Sequence, residues 1–182
     1  MAKKKKKLLS SDKIVGLTAM LISLITLIIF VRQTNIMDEQ SRMSVMPYML
    51  IELSDKSGQH RIELSLVNHG VGPAIIEKVN LQYRGRQYTS DFHTFFKEVS
   101  PAIDSLEFLN HSSIYKGLAI PSGGSINAFT VGATEEEYQV FRREIARIRN
   151  DESFDMVIQY RSIYDDSWAI NPKSGTPVAL DR

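Results

Sequence analysis

The sequence predicts one N-terminal transmembrane α-helix followed by a mainly antiparallel β domain with helical insertions, all-β or α+β in class. Two observations carry that prediction. The stretch Ile14–Val31 holds 18 residues without an ionisable side chain. After Pro47 the apolar period changes from helical to alternating, with glycine turns between the alternating segments. At 182 residues there is room for one ordinary domain and something smaller, which excludes a two-domain enzyme.

Charge is divided unevenly along the chain. Lys3, Lys4, Lys5, Lys6, Lys7 and Lys13 precede the apolar run with a single acid, Asp12. From Arg32 onward 16 bases face 20 acids, so the bulk of the protein is not basic. A hydrophobic span begins directly beside the lysine run, and no nucleic-acid partner is expected. With no cysteine, disulfides, thiolate metal sites and a cysteine nucleophile are excluded together.

The apolar run is the first element. Eighteen residues in a helix cover roughly 27 Å, close to the hydrocarbon thickness of a bilayer. A buried core helix would carry a polar stripe, whereas here the apolar residues go all the way round. A cleaved signal peptide has a shorter apolar region, about 7–15 residues, and a small-x-small site after it. Here the sequence continues Phe-Val-Arg-Gln-Thr-Asn, and an uncleaved anchor in the lipid bilayer is expected. Only Arg32 and Arg42 follow the span closely, so the lysines hold the N-terminus in the cytoplasm and place the remainder outside a bacterial inner membrane. Gly16, Ala19, Ser23 and Thr26 recur at steps of three and four. They would let a second helix approach closely in a homo-oligomer, or they recur by chance, since small residues are common in such helices.

Residues 32–46 read as a helical stalk that ends before Pro47. Tyr48–Ser54, Arg61–Asn68, a strand around Val79, Leu81 and Tyr83, and Arg86–Thr89 then alternate as four short strands with turns between them. This spacing predicts a β-sandwich-like, Ig-like domain. Asp91 caps a helix with Phe92, Phe95, Phe96 and Val99 on one face. Ser100-Pro101 begins a second, with Ile103, Leu106 and Leu109 behind it. Strands resume at about Ile114–Ile120 and Ser125–Val131. Thr134 and Glu137 form a capping box for a helix to Asn150, with Tyr138, Phe141, Ile145 and Ile148 as its buried stripe. Phe154 to Tyr160 alternates as a strand, and Tyr164–Ile170 is its hairpin partner. The chain is thus expected to divide into a basic cytoplasmic tail (1–13), a membrane helix (14–31), a stalk (32–46), the β domain (47–171) with helices near 91–110 and 134–150, and a C-terminal tail (172–182).

Chemistry-bearing motifs are few. The histidines His60, His69, His93 and His111 lack the short ligand spacings of zinc sites; His60 and His69 flank one strand and its turn, and no third ligand accompanies them. No metal site or cofactor is expected. Neither a nucleophile elbow nor a phosphate-binding loop occurs, so no catalytic residue is assigned and no enzyme is expected. Arg142, Arg143, Arg147 and Arg149 concentrate positive charge on one helix, either as an anion-binding site or as a solvated face balanced by neighbouring acids.

Three patches, Pro47-Tyr48, LVNHGVGPAII (Leu66–Ile76) and YRSIYDDSW (Tyr160–Trp168), give the chain a resemblance to a loose group of uncharacterised bacterial proteins. These carry one N-terminal membrane helix and an NxGxGPA-containing β domain. The resemblance implies a bacterial membrane origin and the sandwich, and it supplies no reaction, ligand or functional residue. The turn in the middle patch is read as a strand connection that needs glycine's backbone freedom.

Together these readings describe a single-pass membrane-anchored binding or assembly module recognising a protein or envelope component. The alternative is a membrane effector or sensor with a cytoplasmic domain that binds an anionic small molecule, of the bacterial antiviral type.

Overall fold

A computed structural model describes residues 11–89 and 91–180, and the chain divides after Met43 into two compact units. The first is one helix, α1 (Ser11–Met43), long and apolar enough to cross a membrane and without a buried side chain. Its 33 residues make a rod of roughly 50 Å, well beyond the ~30 Å of a hydrocarbon core. The apolar run and the first part of the stalk are therefore continuous. No glycine or proline lies between Val31 and Met43, and Asp38 pairs with Arg42 at 3.0 Å one turn later. Inside the apolar run, the hydroxyls of Thr18, Ser23 and Thr26 each donate to the carbonyl four residues back at 2.9 Å. That satisfies them within the helix itself. Lys3 to Lys7, on which the expected orientation rests, lie outside the described residues.

Among the described residues the second unit carries ten strands in two antiparallel sheets. One sheet has the order β1 (Met49–Lys56), β2 (Arg61–Asn68), β7 (Ser125–Val131), β5 (Phe108–His111). The other runs β10 (Val178–Ala179), β9 (Ser167–Ile170), β8 (Asp155–Arg161), β3 (Ala74–Tyr83), β4 (Arg86–Tyr88), with β6 (Ala119–Ile120) also on β3. Alternation sets which side chains go inside: Ile62, Leu64 and Leu66 of β2 and Met156, Ile158 and Tyr160 of β8 are buried, while the residues between them are not fully so. Both sheets contribute to one buried apolar cluster.

Three helices close that cluster. Asp91 caps α2 (Phe92–Val99) by accepting from the Thr94 amide at 2.9 Å, and Pro101 opens the short α3 (Pro101–Asp104). The capping box of α4 (Glu135–Asn150) is complete in both directions between Thr134 and Glu137. Phe96, Phe129 and Phe141 meet edge to face at centroid separations of 5.3 to 6.1 Å, joining α2, β7 and α4.

Three segments differ from the sequence expectation. The helical face through Leu109 is not formed: α3 stops at Asp104, and Phe108–His111 extends as β5 along β7. Phe108 there packs against the rings of Phe129 and Phe141, a contact that no helical periodicity encodes. The expected strand Ile114–Ile120 shrinks to two residues, because Tyr115 to Gly117 turn, with Gly117 at φ +92° donating to the Ile76 carbonyl at 2.8 Å. Val178–Ala179, expected in a tail, pairs with β9.

Candidate functional site

At one opening of the buried cluster lies a cavity of about 370 Å³, a volume typical of small-molecule sites. Strand β1 supplies Ile51 and Leu53, β2 supplies Leu64, β8 supplies Met156, and Phe154 immediately precedes β8. Phe96 of α2 and Ile145 of α4 complete the apolar walls. Its rim is formed by Arg149, one helical turn past Ile145, and by Asn171, Pro172 and Lys173 between β9 and β10. That rim is braced: the Asn171 amide donates to Asp155 at 2.7 Å, and Lys173 Nζ donates to the Phe154 carbonyl at 2.6 Å. Arg149 makes no ion pair or hydrogen bond among the described residues. A second cavity of about 130 Å³ adjoins the first, shares Ile51, Asn171 and Pro172 with it, and follows β1 toward Met49.

The four arginines of α4 do not converge. Arg142 and Arg149 are seven residues apart on one face, while Arg143 and Arg147 lie on another. Arg142 Nε is 3.2 Å from Asp55, beside the Tyr138 hydroxyl that donates to the same carboxylate at 2.6 Å. That hydrogen bond, with burial, holds the Tyr138 phenol above its usual range. Arg147 bonds Glu144 at 2.7 Å and Tyr83 at 3.3 Å. Arg147's hydrogen bonds outweigh the effect of burial, and with the Ser100 hydroxyl they hold the Glu144 carboxyl below the usual range. Of the four arginines, only Arg149 lines the cavity.

The four histidines do not gather at one point either. His60 and His69 sit at opposite ends of β2, whose eight residues span roughly 26 Å. His60 contacts Glu135, and His69 lies 2.9 Å from Glu52. His93 and His111 stack at 4.3 Å. Burial and then the His111 charge keep the His93 imidazole below its usual range. Among the described residues no group of three His, Asp or Glu side chains is placed to hold a metal ion.

On α1, Gly16, Ala19, Ser23 and Thr26 fall within an arc of roughly 80° at 100° per residue, and a Cβ on Gly16 would meet nothing within 4 Å.

The three patches behind the family resemblance come together in space. The third pairs with the second where Tyr160 and Arg161 lie opposite Ile76 and Ile75, and Asn68, fully buried, joins the first two. Its Oδ1 accepts from the Tyr48 amide at 3.1 Å and the Gly70 amide at 3.0 Å. Its Nδ2 donates to the carbonyls of Gly72 and Ile120 at 2.8 and 3.0 Å, with Pro121 at 3.2 Å. The turn behind it grips the segment that leads into β1: His69 donates to the Tyr48 carbonyl at 2.8 Å and Val71 to that of Met46 at 3.0 Å. Tyr160 receives the Met49 amide on its hydroxyl at 3.3 Å and stacks on Trp168 at 5.8 Å. Burial pushes the Tyr160 phenol up to about 12. The reason for glycine in the turn is not backbone freedom, since neither Gly70 nor Gly72 has a positive φ. It is close approach: a Cβ on Gly70 would lie 2.3 Å from the Tyr48 nitrogen, and one on Gly72 1.9 Å from the Val45 oxygen.

The residues that sequence reasoning missed are the cavity's: apart from Arg149, none was singled out for binding. Phe154 lies 101 positions after Leu53 and Lys173 a further 19 on, and no local spacing links them.

Comparison with curated proteins finds no match. A family model described as a domain of unknown function (DUF8453) matches residues 14–175, taking in the apolar run and every strand but β10. With nearly all of its length covered by that match, the chain belongs to the DUF8453 family.

Proposed function

We propose that the chain is a single-pass membrane protein whose β domain, Ig-like in the packing of its sheets, binds a component of the bacterial envelope outside the inner membrane. The observation that carries this reading is the cavity of about 370 Å³ at the end of the apolar cluster. Its lining offers apolar walls, two cations and one amide, and no carboxylate, histidine or hydroxyl. Such a set can hold a ligand. Anchoring is supported by the length of α1 and by its stretch 14–31 without an ionisable side chain, and orientation by Lys3 to Lys7 before the span. The hub around Asn68 suits an anchored module, because it fixes residues 45–49, which connect the helix to β1.

Arg149 at the rim also fits a second reading, in which the domain is cytoplasmic and senses an anionic small molecule. Topology separates the two. Ser57 is exposed in the turn between β1 and β2, and the chain has no cysteine of its own. Ser57→Cys is treated in intact cells, with the outer membrane made permeable, using a thiol reagent that cannot cross the inner membrane. Labelling before lysis is expected; labelling only after lysis overturns the extracytoplasmic placement and leaves the sensor reading.

A further inference from the structure

The cavity's chemistry narrows its ligand, given the binding-module reading on which this step rests. Phe96, Leu64, Ile145, Phe154 and Met156 are all buried, so the walls are fixed apolar surface. The one neutral polar group is already engaged on both sides: Asn171 donates through Nδ2 to Asp155, and its Oδ1 accepts from the Lys173 amide at 2.8 Å. That amide braces the rim, and the polarity the cavity turns toward a ligand is mainly cationic. The only charges lining the cavity are Arg149 and Lys173, both at the rim and both positive. An apolar interior below a cationic rim is complementary to a molecule with an apolar tail and one anionic end.

Size gives the rest. The share of liquid volume of one water is about 30 Å³, and a methylene group is of similar bulk. The main cavity of about 370 Å³ therefore holds on the order of ten such groups, while the adjoining 130 Å³, with Glu52 and Thr176 in its lining, suits no further length of chain. A lipid with two long chains needs about twice the space available.

We propose that the cavity binds a single-chain carboxylate amphiphile, a fatty acid, with its acyl chain against Leu53, Phe154 and Ile145 and its carboxylate at Arg149 and Lys173. Arg149, which has no partner among the described residues, supplies a charge-assisted hydrogen bond, and Lys173 adds a second positive charge.

The test uses the full chain in phosphatidylcholine nanodiscs and two probes of equal length, a photoactivatable diazirine dodecanoic acid and the corresponding alcohol. Cross-linked residues are mapped by peptide mass spectrometry. Labelling of 14–31 by lipid-dissolved probe serves as the internal standard. The acid is expected to label cavity residues such as Phe154 and Met156, to be displaced there by excess dodecanoate, and to lose about tenfold of that signal in Arg149→Gln, the effect of one charge-assisted hydrogen bond. Leu53→Trp, which fills the cavity, is expected to abolish cavity labelling while leaving the span unchanged. If acid and alcohol label the cavity equally and Arg149→Gln changes neither, the anionic ligand class is wrong while ligand binding stands. If neither probe labels the cavity above the span standard, the fatty-acid proposal and the binding reading beneath it both fall.

Discussion

Replacing Asn68 by aspartate changes one group in a fully buried side chain, and the structure sets the consequence. Oδ1 keeps the amides of Tyr48 and Gly70. In place of Nδ2, an oxygen now faces the carbonyl oxygens of Gly72 at 2.8 Å, Ile120 at 3.0 Å and Pro121 at 3.2 Å. Each buried acceptor left without a donor costs about 1–3 kcal/mol, and a buried charge without a partner costs about 3–5 kcal/mol. Because these overlap, the expected loss near neutral pH is about 3–5 kcal/mol, a large share of the roughly 5–15 kcal/mol that holds a domain folded. The sign of its pH dependence is also fixed. Burial among carbonyls raises the folded pKa of the introduced carboxyl above its unfolded value of about 3.9. The protonated form donates one hydrogen bond, so the variant's deficit is smallest below that value and grows as pH rises through the folded pKa. Urea titration of the full chain in detergent, followed by the fluorescence of Trp168, the sole tryptophan, reads the β domain without the helix. Asn68→Leu is expected to lose a similar amount at every pH. An aspartate variant within about 1 kcal/mol of the wild type at pH 8, below the cost of stranding even one buried partner, would refute the hub. So would a deficit that fails to shrink toward pH 4.

Other predictions use the same assay. Gly72→Ala drives a Cβ to within 1.9 Å of the Val45 oxygen and is expected to cost several kcal/mol, whereas Gly58→Ala, with nothing within 4 Å, stays near neutral. Glu144 has a folded pKa below its unfolded one, so its contribution is complete above the unfolded value and is lost as pH falls through the folded value. Glu144→Gln should therefore flatten the acid side of the pH–stability curve; an unchanged acid limb would contradict the assignment. Tyr160 titrates at about 12, above the ordinary 10, so wild-type stability is complete below pH 10 and declines as pH rises toward 12. Tyr160→Phe should remove that alkaline decline and, by stranding the Met49 amide, cost about 1–3 kcal/mol at neutral pH.

The parts of this fold that local rules govern were legible. Thr134 and Glu137 announce α4, Asp91 announces α2, and the alternation of Ile62, Leu64 and Leu66 identifies β2 and its inward face, each within eight residues of sequence. Local rules failed where a distant partner decides. Phe108 extends because rings from β7 and α4 receive it, and Ile114 to Leu118 turn because the β3 backbone offers partners there. Asn68 looked like an ordinary turn residue, since its partners lie 20 and 52 positions away. The candidate site was the least legible part: Arg149 stood out only as one of four helical arginines, and the structure puts Arg142, Arg147 and Arg149 in three different settings.

The claim that this is a ligand-binding module is tested most directly by native mass spectrometry of the full chain gently extracted from its own membranes. Wild-type protein is predicted to carry a non-covalent small-molecule mass in addition to lipid bound at α1, and Leu53→Trp, with the cavity filled, is predicted to lose that mass while remaining folded by Trp168-independent circular dichroism. The same small-molecule mass on the filled variant, or none on the wild type, would contradict the account.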